Sequence, residues 1–175
     1  LILEALVYAK KETVPKGSTI ADLTYNLGYY SGASGEYQRA KVHYLRVLDL
    51  VRKREKPDYA FLQQINNSLG GVMWTQGKMD SCNYYFKQSL AALKKTDSSA
   101  LNKFYRPGLV KMNMAVVSNM MGKNNEAIAF SEEAITNFRT FIKVAKDEQR
   151  KNAARGNAMV AIDNLGVFYN TIGEF

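Results

Sequence analysis

The chain has 175 residues, 46% hydrophobic and 23% charged, which supplies the core of one domain and excludes a compositionally disordered chain. A single cysteine, Cys82, excludes an internal disulfide or a multi-cysteine zinc site, and a single histidine, His43, removes most histidine-based metal and triad chemistry. A net charge of +8 favours acidic partners and leaves weak, salt-sensitive nucleic-acid binding as an alternative.

In chain order, helices are predicted at about 1–12, 18–33, 36–54, 58–76, 79–95, 98–121, 124–146 and 149–172. Pro107, after Arg106, is expected to kink or split the sixth. The opening Leu1-Ile2-Leu3-Glu4 shows no basic region or cleavage site of a signal peptide. The longest uncharged stretch, Tyr59 to Gly77, carries too many Gln, Asn, Ser and Thr residues to span a membrane, and no membrane contact is expected of this segment.

Self-similarity is the dominant signal. Leu27-Gly28 precedes Gly35-Glu36-Tyr37 and Ala40-x-x-x-Tyr44; Leu69-Gly70 precedes Gly77-Lys78-Met79 and Cys82-x-x-x-Phe86. Met114-Ala115 precedes Gly122-Lys123-Asn124 and Ala127, and Leu165-Gly166-x-x-Tyr169 precedes Gly173-Glu174-Phe175. The periods are 42, 45 and 51 residues. Ala5-Leu6, Val47-Leu48, Ser89-Leu90 and Ala134-Ile135 share a second register, and Pro15 and Pro57 stand 42 apart. The second glycine of each unit is placed where one helix must end and the chain reverse. The small residues Gly28, Gly70, Ala115 and Gly166 are expected to permit close helix approach, with Ala40, Cys82 and Ala127 facing them.

This pattern resembles the tetratricopeptide repeat family over nearly the whole chain. It departs in period, since the family unit is about 34 residues, and so is similar to the longer units of kinesin-light-chain-type repeats and of bacterial signalling proteins. The resemblance implies an all-α, right-handed solenoid of antiparallel helix pairs. The divisions predicted are a partial repeat at 1–16, repeats at 17–57, 58–97 and 98–147, and a partial repeat at 148–175. With no polar capping helix at either end, the register leads us to expect a fragment of a longer protein.

Catalytic motifs are missing. Gly32-Ala33-Ser34-Gly35-Glu36 has Glu36 where a nucleophile elbow needs glycine, and no phosphate loop follows. Cys82 shares the small-residue register of Ala40 and Ala127, and His43 that of Tyr85 and Phe130, so both are expected to pack rather than react. Glu132-Glu133 and Asp147-Glu148 are sequence neighbours that diverge on a helix, unsuited to paired acid–base work. Met112, Met114, Met120 and Met121 are expected to fill the core. No enzyme, cofactor or metal is expected.

In such repeats the first helices line the concave face. Its predicted positions are Tyr25, Tyr29 and Gly32; Asn67, Gly71 and Trp74; Met112, Val116 and Asn119; Asp163, Val167 and Asn170. Asn26, Ser68, Asn113 and Asn164 flank them. Asparagine amides both donate and accept, which suits an extended peptide backbone, and Tyr29 and Trp74 would anchor it. The resemblance implies the same use of the asparagines. The expected partner is a protein or peptide segment, with self-association as a further possibility and nucleic acid disfavoured. The tyrosine- and asparagine-rich first helices also resemble sensory regions of Bacteroidetes-type signalling proteins; that would be periplasmic, whereas an assembly scaffold would be cytoplasmic.

Overall fold

The computed structural model describes residues 19–173; the predicted helix at 1–12, with Ala5, Leu6 and Pro15, and the terminal Phe175 lie outside them. Seven α-helices follow in order: α1 (Ile20–Ala33), α2 (Tyr37–Arg52), α3 (Tyr59–Thr75), α4 (Met79–Leu93), α5 (Arg106–Met120), α6 (Asn124–Val144) and α7 (Glu148–Ile172). No strand occurs among the described residues. Each predicted end among the described residues lies within two residues of the observed one, except that α5 starts at Arg106, eight residues after the predicted start at 98. The chain folds as consecutive hairpins, α1 on α2, α3 on α4 and α5 on α6, with α7 packed along α6. This is a TPR-like helical solenoid.

The two kinds of connection are built differently. Between the helices of a hairpin, Gly35, Gly77 and Gly122 take φ of +79°, +68° and +73°, a region open to glycine but costly for side chains. Each turn closes in one way: the N–H of Glu36, Lys78 and Lys123 donates to the carbonyl of Ser31, Met73 and Ser118, satisfying a helix-end acceptor. Between hairpins the paths vary, from 53–58 and 94–105 to only 145–147, and side chains cap α1, α3 and α7 instead. Thr19 and Asp22 form a reciprocal cap on α1, Asp58 accepts from the Phe61 N–H at 2.9 Å, and Asp147 accepts from the Arg150 N–H at 3.1 Å.

A glycine set against an aromatic ring fixes how closely each hairpin packs. A Cβ on Gly28 would come 2.8 Å from the Tyr44 ring, and one on Gly70 would overlap the Phe86 ring. Ala40 therefore lies opposite Gly32, at 3.7 Å from where its Cβ would be, rather than opposite Gly28 as expected. The helices run antiparallel, so a step of four residues back on one is met by four forward on the other. In the third hairpin Ala115 and Ser131 replace glycine and aromatic, and the tight contact moves seven residues along each helix to Gly108 and Phe138. A Cβ on Gly108 would come 2.8 Å from that ring.

The expected disturbance at Pro107 is a π-helical turn, Leu101–Tyr105, leading into α5. The Arg106 N–H reaches back to the Leu101 carbonyl, five residues away. Widening the turn relieves the clash of the proline ring with the preceding turn, and the N–H that proline lacks is not required there.

One apolar core joins α1 through α5, and a second joins α6 and α7 with flanking support from the π turn and α5. First helices of neighbouring hairpins meet: α1 touches α3, α5 touches α7, Tyr25 bonds to Ser68 and Trp74 to Met120. The first helices α1, α3, α5 and α7 thus lie along one side of the stack, the side that the sequence reading expects to be concave.

The packing predicts a sharp contrast between adjacent glycines. Gly70→Ala should lower unfolding free energy by about 1–3 kcal/mol, the usual cost of overpacking. Gly71→Ala, with nothing within 4 Å, should be neutral or gain up to about 1 kcal/mol. Denaturant melts of the two variants provide the measurement.

Candidate functional site

Along α1, Tyr25 is half-buried. Its ring lies 5.3 Å from Tyr44 and 5.4 Å from Phe61, and its hydroxyl is 2.9 Å from Ser68 Oγ. It thus joins the first two hairpins as well as facing the groove. Asn26 is exposed beside it, and Tyr29, one turn on, is 59% exposed and held edge-on by Tyr30. On α3, Trp74 is 44% exposed, and its indole N–H donates to Met120 Sδ at 3.2 Å, which fixes the ring across to α5. The methionines accordingly divide: Met114 is core, Met112 and Met121 are half-buried, and Met120 is exposed in the groove rather than filling the core.

Asn67 and Asn119 are both half-buried, and each turns Oδ1 into the protein with no hydrogen-bond partner there; the Gln76 amide is likewise unpaired. Buried amide oxygens without partners are uncommon because each forgoes about 1–3 kcal/mol of lost hydration. Asn113 and Asn164 are half-buried and Asn170 is exposed. Asn67 and Trp74 share α3, and the Trp74–Met120 contact ties that helix to the end of α5 that carries Asn119. Asn164 and Asn170 lie on α7, with Val167 exposed between them.

Behind this face the second helices present small residues. Cys82 is fully buried at the Trp74 main chain. Burial pushes its thiol up to about 12, against a partial opposing effect from a hydrogen bond to the Trp74 main chain. A thiol so placed is neutral at physiological pH and a poor nucleophile. His43 is buried as well, in keeping with a packed ring.

Sequence reasoning missed a second feature. At one rim, where the N-terminal ends of α1 and α3 meet, a cleft of about 610 Å³ opens. It is lined by Asn26 and Tyr25 from the groove, Phe61 and Gln64 from α3, Arg54 from the α2–α3 connection, and Arg106 from the start of α5. Asp22 and Asp58 also line it. Arg54 and Arg106 belong to no repeated position, so the repeat register gave no signal for them.

No protein-family model and no curated protein sequence matches the chain. Among solved structures, BtubC (BKLC) from P. vanneervenii superposes with a TM-score of 0.61 at 17% identity, over 99% of this chain and 81% of that one. The MamA RS-1 ArsTM double mutant superposes with a TM-score of 0.52 at 12% identity, over 91% of this chain and 80% of that one. At these identities the likeness establishes the fold, a TPR-like helical repeat.

The pKa directions predict alkaline sensitivity. The Cys82 thiol is raised from 9.0, and burial, with Tyr25 adding to it, raises Tyr44 from 10.0 to about 12. Between pH 9 and 12 the unfolded chain releases these protons before the folded one does, so folded stability falls as pH rises through that window. Melting temperature should decline from pH 9 upward, with a shallower slope in Cys82→Ala. Native protein should also resist a thiol reagent that labels Cys82 fully once denaturant is added.

Proposed function

We propose that the chain is a non-catalytic module that holds an extended peptide or protein segment along the concave face of α1, α3, α5 and α7. The observation that carries this reading is the pairing, on one face, of exposed aromatic anchors with half-buried asparagines. Tyr29 and Trp74 offer apolar area, and Asn67 and Asn119 stand on the same face with Oδ1 turned into the protein, which leaves the amide N–H side for a ligand. A peptide main chain supplies carbonyl acceptors at regular intervals, and side chains that fit the aromatic positions would add the apolar term. The TPR-like fold shared with BtubC and MamA supports a scaffold of this kind.

The finer reading is that this module is the sensory or interaction region of a bacterial signalling protein, where occupancy of the groove or self-association would be passed to an output region. The long repeat period and the tyrosine- and asparagine-rich first helices support it. An assembly scaffold would use the same groove without that output.

A nucleic-acid array is the weaker alternative on electrostatic grounds. Six of the 24 basic residues pair with nearby carboxylates: Arg39 with Glu36, Lys53 with Asp49, Lys111 with Glu133, and Arg150, Lys151 and Arg155 with Asp147 and Glu148.

The test is selection of a random displayed peptide library against the chain, followed by titration of the selected peptides. Trp74 is the sole tryptophan, so groove binding should shift its emission. The double variant Asn67→Ala, Trp74→Ala should weaken binding by about tenfold or more while leaving the helical circular dichroism unchanged. Unchanged affinity in that variant would sink the groove reading. Affinity that collapses with added salt would favour the nucleic-acid alternative instead.

A further inference from the structure

We propose that a second cleft, where the ends of α2 and α4 meet the start of α3, binds a small organic acid: one carboxylate on a compact apolar body. The cleft holds about 160 Å³. It runs from Arg52, the last residue of α2, past Tyr59 and Leu62 of α3, to Ala92 of α4 and Lys95 just beyond that helix. None of the groove positions lines it, so it is independent of the peptide-groove reading.

The charges of this cleft are of one sign. Arg52 and Lys95 are both exposed on its wall, and no Asp or Glu lines it among the described residues. Next to Arg52 in the chain, Lys53 is paired with Asp49 at 2.8 Å. Arg52 itself has neither a hydrogen bond nor an ion pair among the described residues, and Lys95 has only the Tyr59 ring, whose centroid lies 5.1 Å from its Nζ. The end of a helix attracts cations because its last carbonyls are partly negative. That accounts for basic residues at the ends of α2 and α4, yet it leaves their N–H donors without an acceptor side chain.

The floor has the opposite character. Leu62 and Ala92 are buried and Tyr59 is half-buried. Asn66, buried at the base, donates its amide N–H to the Leu62 carbonyl at 2.7 Å and turns Oδ1 into the protein. The base therefore presents mainly carbon to a ligand. A molecule that matches both parts lays an apolar body against Leu62, Ala92 and Tyr59 and sets its acid group between Arg52 and Lys95. The planar fork of the arginine suits a carboxylate, and the lysine adds a point charge. Gln88, which also lines the cleft, carries an amide that can donate to the same group. Sites for drug-sized ligands hold about 300–1,000 Å³, so this one admits only something as small as a single-ring or short-chain acid.

The test uses three probes followed by NMR, with the methyl resonances of Ala91 and Ala92, both in the cleft wall, as readout. Benzoate carries body and charge, benzamide keeps the ring without the charge, and acetate keeps the charge without the ring. Benzoate should shift both methyls to saturation, while benzamide and acetate bind more weakly by about twofold or more. Arg52→Gln and Lys95→Gln should each weaken benzoate by about twofold to fivefold, and the double variant should lose saturable binding. Both side chains are exposed, and circular dichroism checks that the variants keep their helices. Methyls that do not shift, benzamide or acetate that matches benzoate, or benzoate binding that survives in the double variant would overturn the proposal. Asn67→Ala, Trp74→Ala should bind benzoate like the original chain, so this cleft and the groove stand or fall separately.

Discussion

Helix spacing in this molecule depends on a ring seated where a side chain is missing. Tyr44 against Gly28, Phe86 against Gly70 and Phe138 against Gly108 each let two helix backbones approach to a distance that any Cβ would forbid. The contact does two things at once. It buries an aromatic ring, among the largest apolar gains a single side chain offers, and it sets the separation that every other pair in the hairpin must match. Ala40 near Gly32 and Cys82 at the Trp74 main chain follow from that separation, because only small side chains fit between backbones held so close. Gly166 shows the same register with nothing seated on it among the described residues.

Much of this was legible because a repeat displays its constraints several times over. The turn glycines, the Leu-Gly pairs and, in the first two hairpins, the aromatic four residues beyond the small residue recur, so the hairpins and most of their ends followed from spacing. What misled was geometry between helices. Matching Ala40 to Gly28 treated two marks of one motif as facing partners, whereas antiparallel pairing sets Gly28 against Tyr44 and Ala40 against Gly32. The third hairpin was harder still. Ala115 and Ser131 lack the usual shapes, and nothing in a one-dimensional register says that Gly108 and Phe138 will take over two turns away. That substitution is visible only when two helices are laid side by side.

The candidate groove was legible for a related reason and incomplete for a different one. Positions two before and two and five after each leucine fall on one helical stripe, so the face was set by periodicity. Which of its residues are committed was not. Tyr25 spends its hydroxyl on Ser68 and Trp74 its N–H on Met120, whereas Asn67 and Asn119 keep an oxygen unspent. Commitment is a property of neighbours distant in sequence, here 43 and 46 residues away in the two bonded pairs.

The division between the two kinds of connection explains where individuality enters such a fold. A turn closed by a left-handed glycine and the main-chain bonds around it has almost no freedom, and its three instances repeat. The paths between hairpins have no such restriction. They differ in length, one holds a π turn ahead of a proline, and at α1, α3 and α7 a side-chain cap satisfies the helix start. Charged and polar residues are therefore drawn to those paths by the backbone's own requirements. Arg54 lies on one such path and Arg106 where another enters α5, and together they face the rim that the first helices share. In a stack where each hairpin is held mainly by its neighbours, such residues can change without disturbing the glycine–aromatic contacts. Stability thus resides in the repeated positions, and variation is least costly in those that do not repeat.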